Sequence, residues 1–149
     1  MKKSLLFLTV LLLALSACTL GVKKWPKAQV EEETFAWRGA IASRDKSCLV
    51  FDGVLSGNHD RLKSITVELE PLGDGPGYGC ENCPFNVRQS ETVDTNDVRL
   101  TKTGGQIALT LCGLEADRSY RYRLVAHNSN DNLADQATDV TLIRPLPAP

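Results

Sequence analysis

The chain has 149 residues, of which 42% are hydrophobic, and this is enough for one domain with a core of its own. Its 17 lysines and arginines nearly balance 18 aspartates and glutamates, for a formal net charge of −1 at pH 7. Such a balance gives no electrostatic reason to bind nucleic acid or an anionic membrane surface, so we do not expect nucleic acid as a partner.

Residues 1–17 predict an export signal. Lys2 and Lys3 precede an apolar run over residues 5–15, and the small residues Ser16 and Ala17 follow it. A charged start, a short apolar stretch and small residues are typical of a cleaved secretory signal. The run is too short to span a bilayer by itself.

The motif Leu15-Ser16-Ala17-Cys18 resembles the lipobox of bacterial lipoproteins. The resemblance implies that Cys18 receives diacylglycerol, becomes the N-terminus after cleavage and is acylated on its amine with a palmitate-type chain. Two or three acyl chains make attachment to a membrane stable. This covalent lipid on Cys18 is the only added group that we expect. We expect no cofactor. The alternative is an ordinary cleaved signal in which Cys18 is incidental.

Residue 19 bears on the destination of such a lipoprotein. In the lipoproteins that this chain resembles, an aspartate directly after the lipidated cysteine commonly signals retention in the inner membrane, and this chain has Thr19. We therefore expect a lipid-anchored protein of the cell envelope, delivered to the outer membrane and facing either the periplasm or the cell surface.

Both ends of the exported chain lack the pattern of a folded element. Residues 18–34 have no helical or strand period, and their lysines and glutamates predict a flexible tether behind the lipidated cysteine. Residues 145–149 form a proline-rich tail that can make neither a helix nor a strand ladder. The folded domain is therefore predicted to span residues 35–144.

Within that domain the periodicity is that of strands. Apolar and polar side chains alternate over residues 65–70, 107–112 and 120–127, which gives each run one face for a core and one for water. Further strands are predicted at 35–42, 48–55, 85–89 and 138–143, separated by turn-forming clusters. About seven short strands at this spacing predict an all-β fold, an antiparallel sandwich of immunoglobulin-like type.

Residues 111–142 resemble the last three strands of a fibronectin type III domain. In that family a leucine before a turn and a tyrosine six residues later form the tyrosine corner, whose hydroxyl bonds back to the upstream backbone. Leu114 and Tyr120 have this spacing. Phe51 stands where the family usually has a buried tryptophan, and the connection over residues 72–84 is long for the family. The resemblance concerns fold and implies little about function.

Four cysteines remain once Cys18 is assigned to lipid, and an even number in an exported chain predicts two disulfides. Alternation turns Cys48 and Cys112 outward. In the fibronectin-like order their strands are antiparallel neighbours, so their side chains should meet at one end of a sheet. We therefore predict Cys48 with Cys112 and Cys80 with Cys83, although four cysteines allow three connectivities.

The motif Cys80-Glu81-Asn82-Cys83 also allows two other interpretations. A redox pair usually begins a helix, whose N-terminus lowers the pKa of the first thiol, but here glycines precede the motif and Pro84 follows it without a helical pattern. A four-cysteine zinc site would need both pairs to converge, whereas we place them on different sheets. A structural disulfide is the favoured interpretation, and we expect no metal.

No motif in the sequence indicates catalysis. The two histidines, His59 and His127, are isolated and are expected to be exposed to solvent. The acidic pair Glu68 and Glu70 is predicted to lie with two arginines of residues 120–127 on one solvated face, as cross-strand pairs of opposite charge.

These observations favour a binding module over an enzyme. We expect a non-catalytic envelope lipoprotein whose sandwich contacts an unidentified envelope protein or glycan, while the lipid provides the contact with the membrane. The alternative is a thiol-redox or metal-binding envelope protein that uses the Cys80/Cys83 loop.

Overall fold

A computed structural model describes residues 30–146. The predicted signal peptide, the lipidation site Cys18 and most of the predicted tether lie outside the described residues, as do residues 147–149. Among the residues that are described, no helix is long and apolar enough to cross a membrane.

Strands account for nearly all the regular structure of the described chain. One helical turn, α1 (Val30–Glu33), precedes them, and a 3-10 turn (His59–Arg61) joins the second strand to the third. The strands are β1 (Phe35–Asp45), β2 (Cys48–Gly57), β3 (Leu62–Pro71), β4 (Gln89–Asp94), β5 (Leu100–Thr103), β6 (Gln106–Leu111), β7 (Tyr120–Asn128), β8 (Gln136–Ala137) and β9 (Thr141–Ile143).

The strands form two antiparallel sheets. Sheet A has the order β1-β2-β6-β5, and sheet B has the order β4-β3-β7-β8, with β9 also paired to β7. Sheet A has the A-B-E-D order of an immunoglobulin constant-type sheet, and β3, β7 and β8/β9 correspond to strands C, F and G. The predicted all-β sandwich is confirmed.

The strand count and several strand boundaries differ from the prediction. The structure has nine strands in its described part, because β5 was not predicted and the predicted strand at 138–143 is replaced by two short strands, β8 and β9. Residues 85–88 are not in a strand, and β4 begins at Gln89. Short edge segments carry little alternation, so their pattern does not separate them from loops.

The core lies between the sheets and follows the predicted alternation. Phe51 on β2 is 1% exposed and meets Tyr122 on β7 edge to face, with ring centroids 5.2 Å apart. Burying each large apolar side chain stabilises the fold by about 1.5–3 kcal/mol. The remaining large core residues come from both sheets and include Leu49, Ile65, Val67, Leu69, Leu109, Leu111 and Leu124.

Strand β1 lies at one edge of sheet A and is bonded to sheet B. The indole Nε1 of Trp37 donates to the carbonyl of Gln136 at 3.0 Å. Burial raises the pKa of the Tyr122 phenol, and the neighbouring Thr141 side chain and Ala42 backbone oppose the rise.

The antiparallel strands place the loops at two poles. The N-terminal pole holds the start of β1, the β2–β3 turn and the end of β7; there the Asn58 and Asn128 side-chain amides donate to the carbonyls of Glu32 and Glu33 at 2.7 and 2.8 Å. Glu32 and Glu33 belong to the segment predicted as a tether. The disulfide pole, at the other end, holds the β1–β2 turn, residues 72–88 and the start of β7.

Candidate functional site

Cys48 and Cys112 form a disulfide on the outer face of sheet A. They lie directly beyond the paired residues Leu49 and Leu111 of β2 and β6, and their Cα atoms are 4.0 Å apart. This pairing was predicted and is confirmed. It joins neighbouring strands at the disulfide pole and has a structural role.

Leu114 and Tyr120 lie at the same pole, in the connection from β6 to β7. The Tyr120 hydroxyl accepts a hydrogen bond from the Glu115 N–H at 3.1 Å, and the ring is 2% exposed. Leu114 packs against the core, and its N–H donates to the carbonyl of Ser47 at 3.0 Å. These contacts fix the crossing between the sheets.

Cys80 and Cys83 are joined by a second disulfide, within the connection from β3 to β4. We call residues 72–88 the disulfide loop. The loop is bonded to β3 at its middle and at its last residue: the Gly79 N–H donates to the Pro71 carbonyl at 2.9 Å, and the Arg88 N–H donates to the Leu69 carbonyl at 3.0 Å. The bonded cysteines themselves are exposed. No helix begins at this motif.

Neither cysteine pair provides a metal site in the structure. All four sulfurs are in disulfides, so none of them is a thiolate that could ligate zinc. Within residues 30–146 there is also no group of three or more histidine, cysteine, aspartate or glutamate side chains placed to hold a metal ion.

The disulfide loop covers an ion pair that we had placed in solvent. Glu70 on β3 is 2% exposed, and Arg121, which opposes it on β7, is 7% exposed. The predicted solvated face is therefore wrong at this pair. The alternation was read correctly, since both side chains point away from the core, but the loop folds back over them.

Arg121 binds the loop through its backbone. The guanidinium donates to the Glu70 carboxylate and to the carbonyls of Glu81, Cys83 and Pro84. Each buried N–H thus finds an acceptor, which a buried charge requires. The neighbouring pair of Arg123 with Glu68 is only half-buried.

Gly79 makes this close approach possible. An added Cβ at this position would overlap the Glu70 carboxylate. Phe85 packs beside the two arginines, with the Arg121 and Arg123 guanidinium carbons 5.8 and 5.5 Å from its ring centroid. The buried pair and the loop backbone thus form one hydrogen-bonded assembly.

A different surface lies on the outer face of sheet A, towards the N-terminal pole. It is an open concavity of about 700 Å³. Gly39, Gly53 and Ala108 line it, and these small residues leave the sheet depressed between neighbouring strands. Ile41 is 70% exposed here and Val54 is 44% exposed. We call this concave surface the apolar face.

The local backbone explains part of this shape. The pairing of β1 with β2 shifts register between Trp37 and Gly39, which is the signature of a β-bulge at Arg38. The Trp37 ring packs against Gly53 of β2, and a Cβ added to Gly53 would lie 2.6 Å from the ring. Arg38 and Asp52 also line the concavity and give it charges of both signs.

A third surface surrounds His127 on the outer face of sheet B. The imidazole Nδ1 lies 2.9 Å from the Asp135 carboxylate, and Nε2 lies 2.7 Å from the Thr66 hydroxyl. That hydroxyl is 2.8 Å from the hydroxyl of Thr92. We call these four side chains the His127 network. They line a second concavity, of about 590 Å³.

His127 lies on the outer face of its strand as expected, but the imidazole is only 29% exposed, because Nε2 hydrogen-bonds with Thr66 and Nδ1 contacts Asp135. The network draws on β3, β4, β7 and the loop before β8, so no spacing in the sequence connects its members. Alternation along single strands could have turned Thr66 and His127 outward. The partner strand and the register were still needed to bring them together.

The chain matches no protein-family model, and the search of curated proteins finds no match to it.

Proposed function

We propose that this protein is a lipid-anchored protein of the cell envelope whose sandwich binds another protein through the apolar face. The anchor rests on the resemblance of residues 15–18 to a lipobox. Two disulfides in one small domain agree with an oxidising compartment beyond the inner membrane. The proposed role is binding and needs no catalytic turnover.

The observation that carries the binding role is the exposure of Ile41 and Val54 in a concave surface. Exposed apolar residues that are gathered together mark interaction sites more often than scattered ones do. Val98 is an example of a scattered exposed residue, because it is 97% exposed on the turn before β5, away from the apolar face.

Protein is favoured over glycan as the ligand. The residues lining the apolar face include no aromatic side chain on which a sugar ring could stack. They do include aliphatic side chains with a charged residue of each sign, the composition that a partner protein with an apolar projection would fit.

Site-specific crosslinking in cells tests the proposal. The full-length chain carries a photoreactive residue at position 41 in one variant and at position 98 in a matched control. A defined protein adduct should form from position 41 alone, and Val54→Asp should abolish it. Adducts of equal yield from both positions would contradict the proposal. Retention on an envelope glycan that is lost in Ile41→Asp, without any protein adduct, would favour the glycan instead.

The anchor has a separate test. Cys18→Ala should accumulate as unprocessed precursor. In a lipobox the cysteine is the lipidation site, and it also follows the peptide bond that is cleaved. A mature-sized, membrane-bound Cys18→Ala protein would contradict the lipoprotein proposal. Fractionation of the wild-type chain between inner and outer membranes tests the proposed outer-membrane location.

A thiol-redox role for the disulfide loop is the second candidate, and the exposure of Cys80 and Cys83 favours it. Thiols counted after mild reduction of the native protein decide between the roles, since a structural pair resists a reductant that opens a redox pair. Two free thiols at Cys80 and Cys83, with Cys48 and Cys112 still joined, would support the redox role. The metal-binding variant of this candidate would further require zinc to bind the reduced pair.

A further inference from the structure

We propose that the Thr66 hydroxyl is a nucleophilic modification site that accepts an acyl group from an activated ester or thioester, with His127 as its general base. Asp135 and Thr92 are positioning residues. This inference rests on the His127 network and is independent of the proposed binding role.

The direction of each hydrogen bond in the network follows from the chemistry of its members. The Asp135 carboxylate lies 2.9 Å from His127 Nδ1, an ion contact that favours the tautomer with its proton on Nδ1. In that neutral tautomer Nε2 is the acceptor, so the Thr66 hydroxyl donates to it. The Thr66 oxygen in turn accepts from Thr92, which gives a chain of hydrogen-bond donors from Thr92 to His127.

Thr66, His127 and Asp135 form the hydroxyl–imidazole–carboxylate arrangement that activates serine and threonine nucleophiles. A hydroxyl at its free pKa is a weak nucleophile and needs an adjacent base that is itself oriented by a third group. The 2.7 Å hydrogen bond to Thr66 makes His127 the adjacent base, and the 2.9 Å ion contact makes Asp135 the third group. The fold holds the geometry, because Ser64 on β3 pairs with His127 on β7 and thus places the imidazole diagonally across from Thr66.

An acyl donor has access to this hydroxyl. The His127 network lines the open concavity of about 590 Å³ together with Lys63 and Asp131, whose side chains pair at 3.2 Å. Thr92 is exposed, and Asp135 is half-exposed. The concavity is predominantly polar, which suits a small polar ester better than a long acyl chain.

The transfer step is balanced without any oxidant or metal. The Thr66 oxygen forms a bond to the acyl carbon while its proton passes to His127 Nε2. The bond between the acyl carbon and the leaving oxygen or sulfur then breaks, and the leaving group takes the proton from the imidazole. The products are an ester on Thr66 and the free alcohol or thiol. The proposed reaction is one transfer per chain, and the ester on Thr66 is its end point.

The test uses the full chain and p-nitrophenyl acetate, with acetyl groups located by mass spectrometry of peptides. Thr66 should gain an acetyl ester faster than other hydroxyls. Ser90 is the internal reference, since it lies on the same face of β4 as Thr92 but opposes Glu68 rather than an imidazole. Acetylation of lysines is scored separately at each residue. Equal ester formation at Thr66 and Ser90 would overturn the proposal.

Substitutions separate the roles of Thr66 as nucleophile, His127 as general base and Asp135 as positioning residue. Thr66→Val should remove the ester, and Thr66→Ser should keep it. His127→Gln should lower the rate at Thr66 about 100-fold, the lower end of what a positioned general base contributes. Asp135→Asn should also slow it, whereas Ser90→Ala should not change it.

Folding is checked for every variant by urea unfolding, so that a loss of reaction is not a loss of structure. Where His127→Gln is too unstable to compare, Asp135→Asn provides the decisive rate, because its side chain is half-exposed and tolerates the change. A Thr66 ester that forms at the wild-type rate in a folded His127→Gln or Asp135→Asn protein would overturn the role of the network.

Discussion

Glu70 and Arg121 form an ion pair on the outward-facing side of sheet B, and both side chains are buried there. The disulfide loop covers the pair and supplies three backbone carbonyls to the guanidinium. Part of the outward face of sheet B is therefore buried as well, beneath the disulfide loop. The sandwich core fixes the strands, and the ion pair fixes the loop that lies over them.

Breaking this ion pair should cost much more than breaking its neighbour. Arg121→Met leaves Glu70 as an unpaired buried carboxylate, for which we expect a loss of about 3–5 kcal/mol. Arg123→Met is the matched control on the same strand. Its partner Glu68 is 19% exposed, against 2% for Glu70, and keeps contact with solvent, so the expected loss is smaller, about 1 kcal/mol. Urea unfolding of both variants measures the difference. Equal losses would show that burial of Arg121 contributes nothing.

The two disulfides should differ in their effect on stability. Cys48 and Cys112 are 64 residues apart in sequence and Cys80 and Cys83 only three. By chain entropy the first bridge stabilises by about 4 kcal/mol and the second by about 2 kcal/mol. Paired cysteine-to-alanine variants of each bridge, unfolded in urea, should therefore rank in that order. The reverse order would contradict the chain-entropy explanation.

Gly79 should not tolerate even a methyl group. Gly79→Ala pushes the new Cβ into the Glu70 carboxylate, and we expect a loss of about 1–3 kcal/mol from this overlap. Gly39→Ala is the control, because an added Cβ there has no atom within 4 Å, and its stability should change by less than about 0.5 kcal/mol. A neutral Gly79→Ala variant would show that the disulfide loop can move away from β3.

Tyr122 should make the protein less stable in alkali. Burial raises the pKa of this phenol in the folded state above the ordinary value of about 10. As the pH rises past the ordinary value, the unfolded chain releases the proton while the folded chain keeps it, so the free energy of unfolding falls. Tyr122→Phe removes this contribution. Urea unfolding of both proteins on either side of pH 10, with phenolate absorbance as the titration signal, measures it. A wild-type protein with the same pH dependence as Tyr122→Phe would contradict the raised pKa.

The inward and outward sides of the central strands could be predicted from the sequence, and the covering loops could not. Period-two alternation forces Phe51 inward and Cys48 outward, which was sufficient to pair Cys48 with Cys112 once the strand order was assumed. The same alternation turned Glu70 outward but carried no information about what lies above it. The disulfide loop has no period, and its path depends on contacts made only after β3 and β7 have paired.

The His127 network was missed for a related reason. Its members are separated in the chain by up to 69 positions, from Thr66 to Asp135, and three of them lie on different strands. Their meeting depends on the register of β3 with β4 and with β7, and a shift of one residue would turn the hydroxyls to the other face. Register is set by packing across the whole sandwich, which no local pattern describes.

The bonds from β1 to sheet B affect how copies of the protein behave when they meet. An edge strand of eleven residues would ordinarily offer a row of backbone donors and acceptors to a neighbouring molecule. One end of this edge packs on sheet B of the same chain, where the Trp37 indole donates to the Gln136 carbonyl. The other edges are short, with four residues in β5 and six in β4. The described domain therefore offers few long free edges for strand-by-strand association between copies of the chain.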